Sequence, residues 1–238
     1  MIRLLPFSST LITAIFAAAV LLRFARRGGW HLLFWGIGLV LYGLGTFSEA
    51  FLGLAWSPLI LRLWYLTGAM LTAAWLGQGT LYLLVRKPGV AHAVMVVLVL
   101  VSVAAILAVF SARMDPAAVY NIHRPASEQY KTVMERLPLT IALTIVLNIF
   151  GTLALVGGAI YSAFIFWRKR VLPNRVIGNV LIAAGALLPA SAGTLVKLGL
   201  SDWLYLSELL GATIIFIGFL QATARQPVQA TAAQPATS

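Results

Sequence analysis

Long apolar blocks alternate with short polar connections along this chain. About 20 consecutive apolar residues allow a helix to cross the bilayer core, and seven of the blocks have this character. The pattern predicts an all-α polytopic membrane protein, a seven-transmembrane-helix bundle formed by residues 1–222. We expect its helices at about residues 8–22, 31–52, 57–85, 90–112, 138–167, 176–198 and 204–222.

Two polar stretches interrupt or follow these helices. Residues 113–136 form the one substantial loop, and residues 127–137 have the pattern of a short amphipathic helix lying on the membrane surface. Residues 223–238 are of low complexity, which predicts a disordered tail.

The third helix, residues 57–85, has no obvious lipid-facing side. Small residues recur every four positions at Ala69, Ala73 and Gly77, which allows neighbouring helices to approach closely. We therefore expect this helix at the centre of the bundle. The fourth helix is apolar on all sides, with Ser102 as its one polar residue at mid-membrane depth, and is expected to face lipid.

Composition supports a membrane protein. Hydrophobic residues make up 61% and charged residues 10% of the chain, with a mean hydropathy of +0.95, whereas soluble domains carry about 25% charged residues. The absence of cysteine excludes disulfides and thiol catalysis.

The net charge of +11 is unevenly placed. On this layout, ten Lys and Arg lie on one side of the membrane without any acid, and all six acids lie on the other. The positive-inside rule then predicts an outside amino terminus and a cytoplasmic carboxyl terminus in the cell membrane. The basic surface is expected to meet the anionic inner leaflet, so the charge does not call for a nucleic-acid partner.

Helices one to three and five to seven share junction features in the same order. Basic clusters follow the first and fifth helices, and Gly-Thr pairs occur on the second and sixth, at Gly45 and Gly193. These features predict a parallel 3+1+3 repeat in which the fourth helix is a linker. The alternative is that they are common properties of membrane-helix ends.

Four ionisable residues fall within or near the outer ends of the helices: Glu49, Arg62, Lys197 and Glu208. Because isolated charges in a membrane cost several kcal/mol, roughly 2.5 to 3.5 on insertion scales, we expect them near one another or near water. The functional interpretation is an outward-facing polar pocket for a small ligand; the alternative is a pair of interhelical salt bridges. The candidate ligand-binding residues are Glu49, Arg62, Tyr65, Lys197, Ser207, Glu208, Tyr42 and Asn148.

Other chemistry has less support. A retinal protein needs a Schiff-base lysine in its seventh helix, and this helix has none. His31 and His92 could face each other as haem ligands but fit interfacial side chains better. We find no catalytic motif or metal-ligand spacing, and expect neither a cofactor nor a metal.

The sequence favours a non-enzymatic multi-pass protein that binds a small molecule, as a sensor or an accessory subunit. A sensor without a soluble domain would need a partner membrane protein to pass on its signal. Two alternatives stay open: a small solute carrier built on the 3+1+3 repeat, and a purely structural subunit of a membrane complex.

Overall fold

The computed structural model describes residues 5–170, 173–197 and 202–224, without the side chains of residues 192–197 and 202. This part of the chain holds eight helices and no β-strand. The helices are α1 (Leu5–Arg27), α2 (Trp30–Leu52), α3 (Pro58–Leu84), α4 (Val90–Phe110), α5 (Ala126–Val133), α6 (Pro138–Arg168), α7 (Pro173–Lys197) and α8 (Asp202–Thr223).

Six of the described helices are long and apolar enough to cross a membrane, as in a multi-pass membrane protein. They are α1, α2, α3, α4, α6 and the Trp203–Thr223 part of α8. The predicted sixth transmembrane helix corresponds to α7, which has 25 residues but is not among these six. Most of the predicted tail, residues 225–238, lies outside the described residues.

Six helices form a closed ring. Around the ring each helix packs against the next in the order α1, α2, α3, α6, α7, α8, and α8 returns to α1. Helix α4 lies outside the ring against α3 and α6, and its side chains are among the most exposed apolar ones, for example Leu100 and Leu107. The sequence predicts α3 at the centre of the bundle. In the structure α3 is instead part of the ring wall, between α2 and α6 and covered by α4.

The ring has two ends, defined here by their connections. The basic end carries the α1–α2, α3–α4 and α6–α7 connections, with Arg26, Arg86 and Arg168 beside them. The loop end carries the α2–α3 turn and residues 111–137. Helix α1 continues past its predicted end to Arg27, and Gly28 and Gly29 end it with φ values of +65° and +102°. Long arginine side chains can reach the membrane interface from within a helix, so the arginines near the predicted end of α1 do not end this helix.

Helix α3 contains a π-helical segment, Trp64–Leu71. Its wider turn shifts the side chains that follow it, and the Thr72 hydroxyl donates to the Thr67 carbonyl five residues earlier at 2.7 Å. The other side of α3 binds α4 through polar groups. Gln78 Nε2 donates to the Ala91 carbonyl at 2.8 Å and Trp75 Nε1 to Ser102 Oγ at 3.2 Å.

Glycines set the closest helix approaches. A Cβ at Gly151 of α6 would overlap the backbone of Ala73 on α3, and Gly185 of α7 faces Gly211 of α8 at similarly short range. Small residues permit this packing where lipid supplies no hydrophobic driving force between helices. The ring wall is tight at these points.

The 111–137 connection folds onto the loop end as a cap. Met114 pairs with Met134 in an isolated antiparallel bridge, and Gln129 Nε2 donates to the carbonyls of Asn121 and Arg124 at 2.8 Å. The predicted short helix occurs as α5, slightly earlier than expected, and its buried residues Ala126, Gln129 and Val133 face the protein. Its amphipathic pattern could not distinguish a protein surface from a membrane surface.

Candidate ligand cavity

The ring encloses a cavity of about 540 Å³. Small-molecule sites usually have about 300 to 1,000 Å³, so its size suits a small ligand. The cavity extends from α5 at the loop end to a layer of apolar side chains inside the ring. Its lining includes four of the residues selected from the sequence: Tyr42, Glu49, Asn148 and Glu208.

Glu49 lies at the loop end of α2 and is only 5% exposed. Its Oε1 accepts two hydrogen bonds, from the Ala126 backbone N–H at 3.0 Å and from the Tyr205 hydroxyl at 2.8 Å. Its Oε2 is buried and has no hydrogen-bond partner among the described residues. The first contact joins α2 to the start of α5, so Glu49 both lines the cavity and holds the cap.

Glu208 lies opposite on α8, three residues after Tyr205 and on the same helix face. The Tyr42 hydroxyl donates to the main-chain oxygen of Glu208 at 2.9 Å rather than to its carboxylate. This bond connects α2 and α8 across the cavity. It leaves the Glu208 side chain available to the interior.

The far wall is formed by α3 and α6. Asn148 Nδ2 donates to the carbonyls of Ala69 and Thr144 at 2.7 and 2.8 Å, which fixes the amide against the π segment of α3. Gly68, Ala69 and Thr72, within or directly after that segment, also line the cavity. The second π segment, Leu153–Gly157 of α6, contributes Leu155 to the same wall.

The other selected residues lie elsewhere. Arg62 donates from an Nη atom to the Ala112 carbonyl at 2.8 Å, and the Tyr65 hydroxyl bonds Thr144 Oγ1 at 2.9 Å within the packed core. Ser207 is buried and donates to the Leu204 carbonyl at 2.7 Å. The side chain of Lys197 lies outside the described residues. Of the four ionisable residues that we expected near one another, Glu49 and Glu208 line the cavity and Arg62 does not.

An interhelical salt bridge is not found among the side chains that the structure describes. The one ion pair there is Arg124 with Glu128, at 2.9 Å within the cap. Arg62 is bound to a carbonyl and does not pair with Glu49 or Glu208. Ligand binding by the cavity residues stays a prediction.

The cap contributes residues that sequence reasoning did not select. Lys131 and Tyr130 of α5 line the cavity, with the Lys131 ammonium 5.8 Å from the centre of the Tyr130 ring. Tyr120 stacks on Trp56 at 4.5 Å between ring centres, and burial, with a further effect of the Glu49 carboxylate, raises the pKa of Tyr120 well above its ordinary value. Assigning the loop to the membrane surface removed these residues from consideration.

The ring closes towards the basic end with aromatic side chains. Phe16 of α1 stacks on Phe216 of α8 at 4.8 Å and contacts Phe219 at 5.5 Å. Trp35 of α2 donates from Nε1 to Thr80 Oγ1 of α3 at 3.2 Å. The cavity thus has polar groups near the cap and an apolar layer below, in which a smaller space of about 40 Å³ remains.

No known family or relative was found for this chain. No protein-family model matches it, and neither a curated protein nor a solved structure shows a significant match. Functional inference therefore depends on the cavity and the helices around it.

Proposed function

We propose that this chain is a seven-helix protein of the cell membrane with its amino terminus outside and its carboxyl terminus in the cytoplasm. Helix α7 is the seventh span, because its 25 residues run between α6 and α8 in the ring. The orientation is supported by the arginines and lysines at the basic end, including Arg27, Lys87 and Lys169. The basic end then meets the anionic inner leaflet, and the cap faces outside.

The function that the geometry supports best is non-enzymatic binding of a small molecule from the outside, in a sensor or an accessory subunit. One observation carries this proposal: a cavity of about 540 Å³ lies inside the helix ring and is lined by two carboxylates. Ionisable groups within a membrane protein are costly and commonly mark ligand or ion sites. A sensor of this form passes its signal to a partner membrane protein.

A solute carrier is the second candidate, favoured by the order of helices in the ring. Helices α1 to α3 and α6 to α8 follow one another around the ring as two consecutive triplets, with α4 outside as a linker. This arrangement fits a 3+1+3 repeat, and carriers with repeated halves bind substrate between them. Saturable uptake of a cavity ligand into proteoliposomes supports the carrier, and binding without uptake supports the sensor or accessory role.

Ligand binding is tested with a cavity-filling variant. A Cβ at the cavity-lining Gly68 would meet one non-neighbouring heavy atom, Gly45 Cα at 3.4 Å, which is ordinary van der Waals contact, so Gly68→Leu is chosen to fill cavity space. Gly157→Leu is the matched control, because nothing lies within 4 Å of a Cβ there. The purified proteins are screened by thermal denaturation against small amines, carboxylic acids, sugars and alcohols.

A ligand at 100 times its Kd stabilises the folded state by about 2.7 kcal/mol, or roughly 5–10 °C for a chain of this size. We expect such a shift for the wild type and Gly157→Leu, and a much smaller one for Gly68→Leu. If no compound class stabilises the wild type, or if Gly68→Leu responds equally, binding in this cavity is refuted.

A further inference from the structure

The strongest unexplained feature of the cavity is Oε2 of Glu49. The other carboxylate oxygen already accepts from Ala126 and Tyr205, whereas Oε2 is buried without a described partner. A buried acceptor without a donor destabilises the fold, and more strongly when it is charged. A ligand that displaces the side chains covering this oxygen and donates a hydrogen bond to it removes this destabilisation.

The charges around the cavity favour a cationic donor. Among the described lining residues, Glu49 and Glu208 are acids and Lys131 is a base. The Lys131 side chain is exposed at the cap and lies over the Tyr130 ring. No described base forms an ion pair with either acid. A cation from outside would therefore meet two carboxylates without competing protein ion pairs.

The cavity is also amphipathic along its depth. Leu39 lies ten residues from Glu49 along α2, about 15 Å further from the cap. Ile215 lies seven residues from Glu208 along α8, about 10 Å further from the cap. The lower part is lined by Leu39, Leu155 and Ile215. A ligand spanning this depth needs a polar head near the cap and an apolar body below it.

We propose that the cavity binds a small amphipathic organic cation, a protonated primary or secondary amine. Its ammonium N–H donates to Glu49 Oε2 with Glu208 as the second counter-charge, and its apolar body lies among Leu39, Leu155 and Ile215. This proposal rests on the proposed ligand-binding function and names the ligand class for that site.

The test compares three compounds that carry a phenyl ring on a four-carbon chain: 4-phenylbutylamine, 4-phenylbutan-1-ol and 4-phenylbutyrate. Binding to the full chain in nanodiscs is measured by isothermal titration calorimetry, with empty nanodiscs to correct for partitioning. The alcohol can donate one hydrogen bond to a carboxylate but has no charge to neutralise either acid, so the amine should bind roughly tenfold or more tightly than the alcohol. The acid should bind least.

Variants distinguish charge recognition from a general effect on the fold. Glu49→Gln should lower the preference for amine over alcohol by about tenfold, while the control Glu128→Gln, in the cap, should keep it. Lys131→Gln should not weaken amine binding. If Glu49→Gln has lost affinity for the alcohol as well, its fold is checked by thermal denaturation, and Glu208→Gln provides the same comparison.

The outcomes separate this proposal from the proposed function. Equal affinity for the three compounds, or tighter binding of the acid that depends on Lys131, overturns cation recognition but retains a ligand-binding cavity. A preference for the amine that persists when Glu49 and Glu208 are both glutamine also overturns it. If none of the three compounds binds and the broad screen finds no ligand, the proposed function itself fails.

Discussion

Replacing Glu49 with alanine should release the start of α5 from the bundle. Glu49 Oε1 accepts from the Ala126 N–H at 3.0 Å, and Ala126 is fully buried. In Glu49→Ala this N–H loses its acceptor, which costs about 1–3 kcal/mol. The free energy needed to open the cap locally falls by the same amount, because the N–H can bind water in the open state.

A change of 1–3 kcal/mol raises the population of the open cap by roughly 5- to 150-fold. Hydrogen–deuterium exchange of residues 126–133, measured by mass spectrometry in nanodiscs, should accelerate by that factor. Global stability is a poorer measure, since removing a buried carboxylate also removes its desolvation cost. Local exchange reports the contact itself.

Two variants serve as controls. Glu49→Gln keeps an acceptor oxygen for Ala126 and should increase exchange less than alanine does. Glu128→Ala, in α5, removes the partly exposed ion pair with Arg124, which precedes that helix, and such pairs contribute about 0.2–1 kcal/mol. If Glu49→Ala and the wild type exchange residues 126–133 at the same rate, Glu49 does not hold the cap.

Two further predictions concern the contacts of α3. Gly151→Ala places a Cβ against the Ala73 backbone and should destabilise the protein by about 1–3 kcal/mol in thermal denaturation. Gly157→Ala, with open space around its Cβ, should be neutral or stabilising. Equal loss of stability in the two variants would contradict the close approach of α6 to α3. Gln78→Met removes the 2.8 Å hydrogen bond to the Ala91 carbonyl and should lower the free energy of unfolding by about 0.6 kcal/mol. A loss of stability above about 2 kcal/mol would contradict the interpretation of this contact as one ordinary interhelical hydrogen bond.

The sequence predicted an all-helical chain, and six of the described helices are long and apolar enough to cross a membrane, because a bilayer demands long apolar segments with few charges. The sequence also predicted that α4 faces lipid, because this helix is apolar on all sides and has Ser102 as its one polar residue at mid-membrane depth. In the structure α4 lies outside the ring. Sequence reasoning could not foresee the π segment Trp64–Leu71, because hydrophobic blocks in a membrane carry little information on helical pitch.

The candidate site was foreseen in part for a similar reason. Intramembrane acids are conspicuous, so Glu49 and Glu208 were selected and both line the cavity. The sequence does not show which acceptor a basic side chain binds, and Arg62 donates to the Ala112 carbonyl instead of to a carboxylate. The cap residues Tyr130 and Lys131 were missed because a loop's position depends on tertiary contacts such as Glu49 with Ala126.

The most direct test of the outward-facing cavity uses the absence of native cysteine. Thr72→Cys places a thiol in the cavity wall, and Ala74→Cys places one on the same helix at a fully buried position outside the cavity lining. Membrane-impermeant cationic and anionic methanethiosulfonates are added to the outside of intact cells. We predict modification of Thr72→Cys alone, faster with the cationic reagent and slowed by 4-phenylbutylamine. Protection of Thr72→Cys from both reagents, or equal modification of the two variants, would contradict an outward-facing cavity.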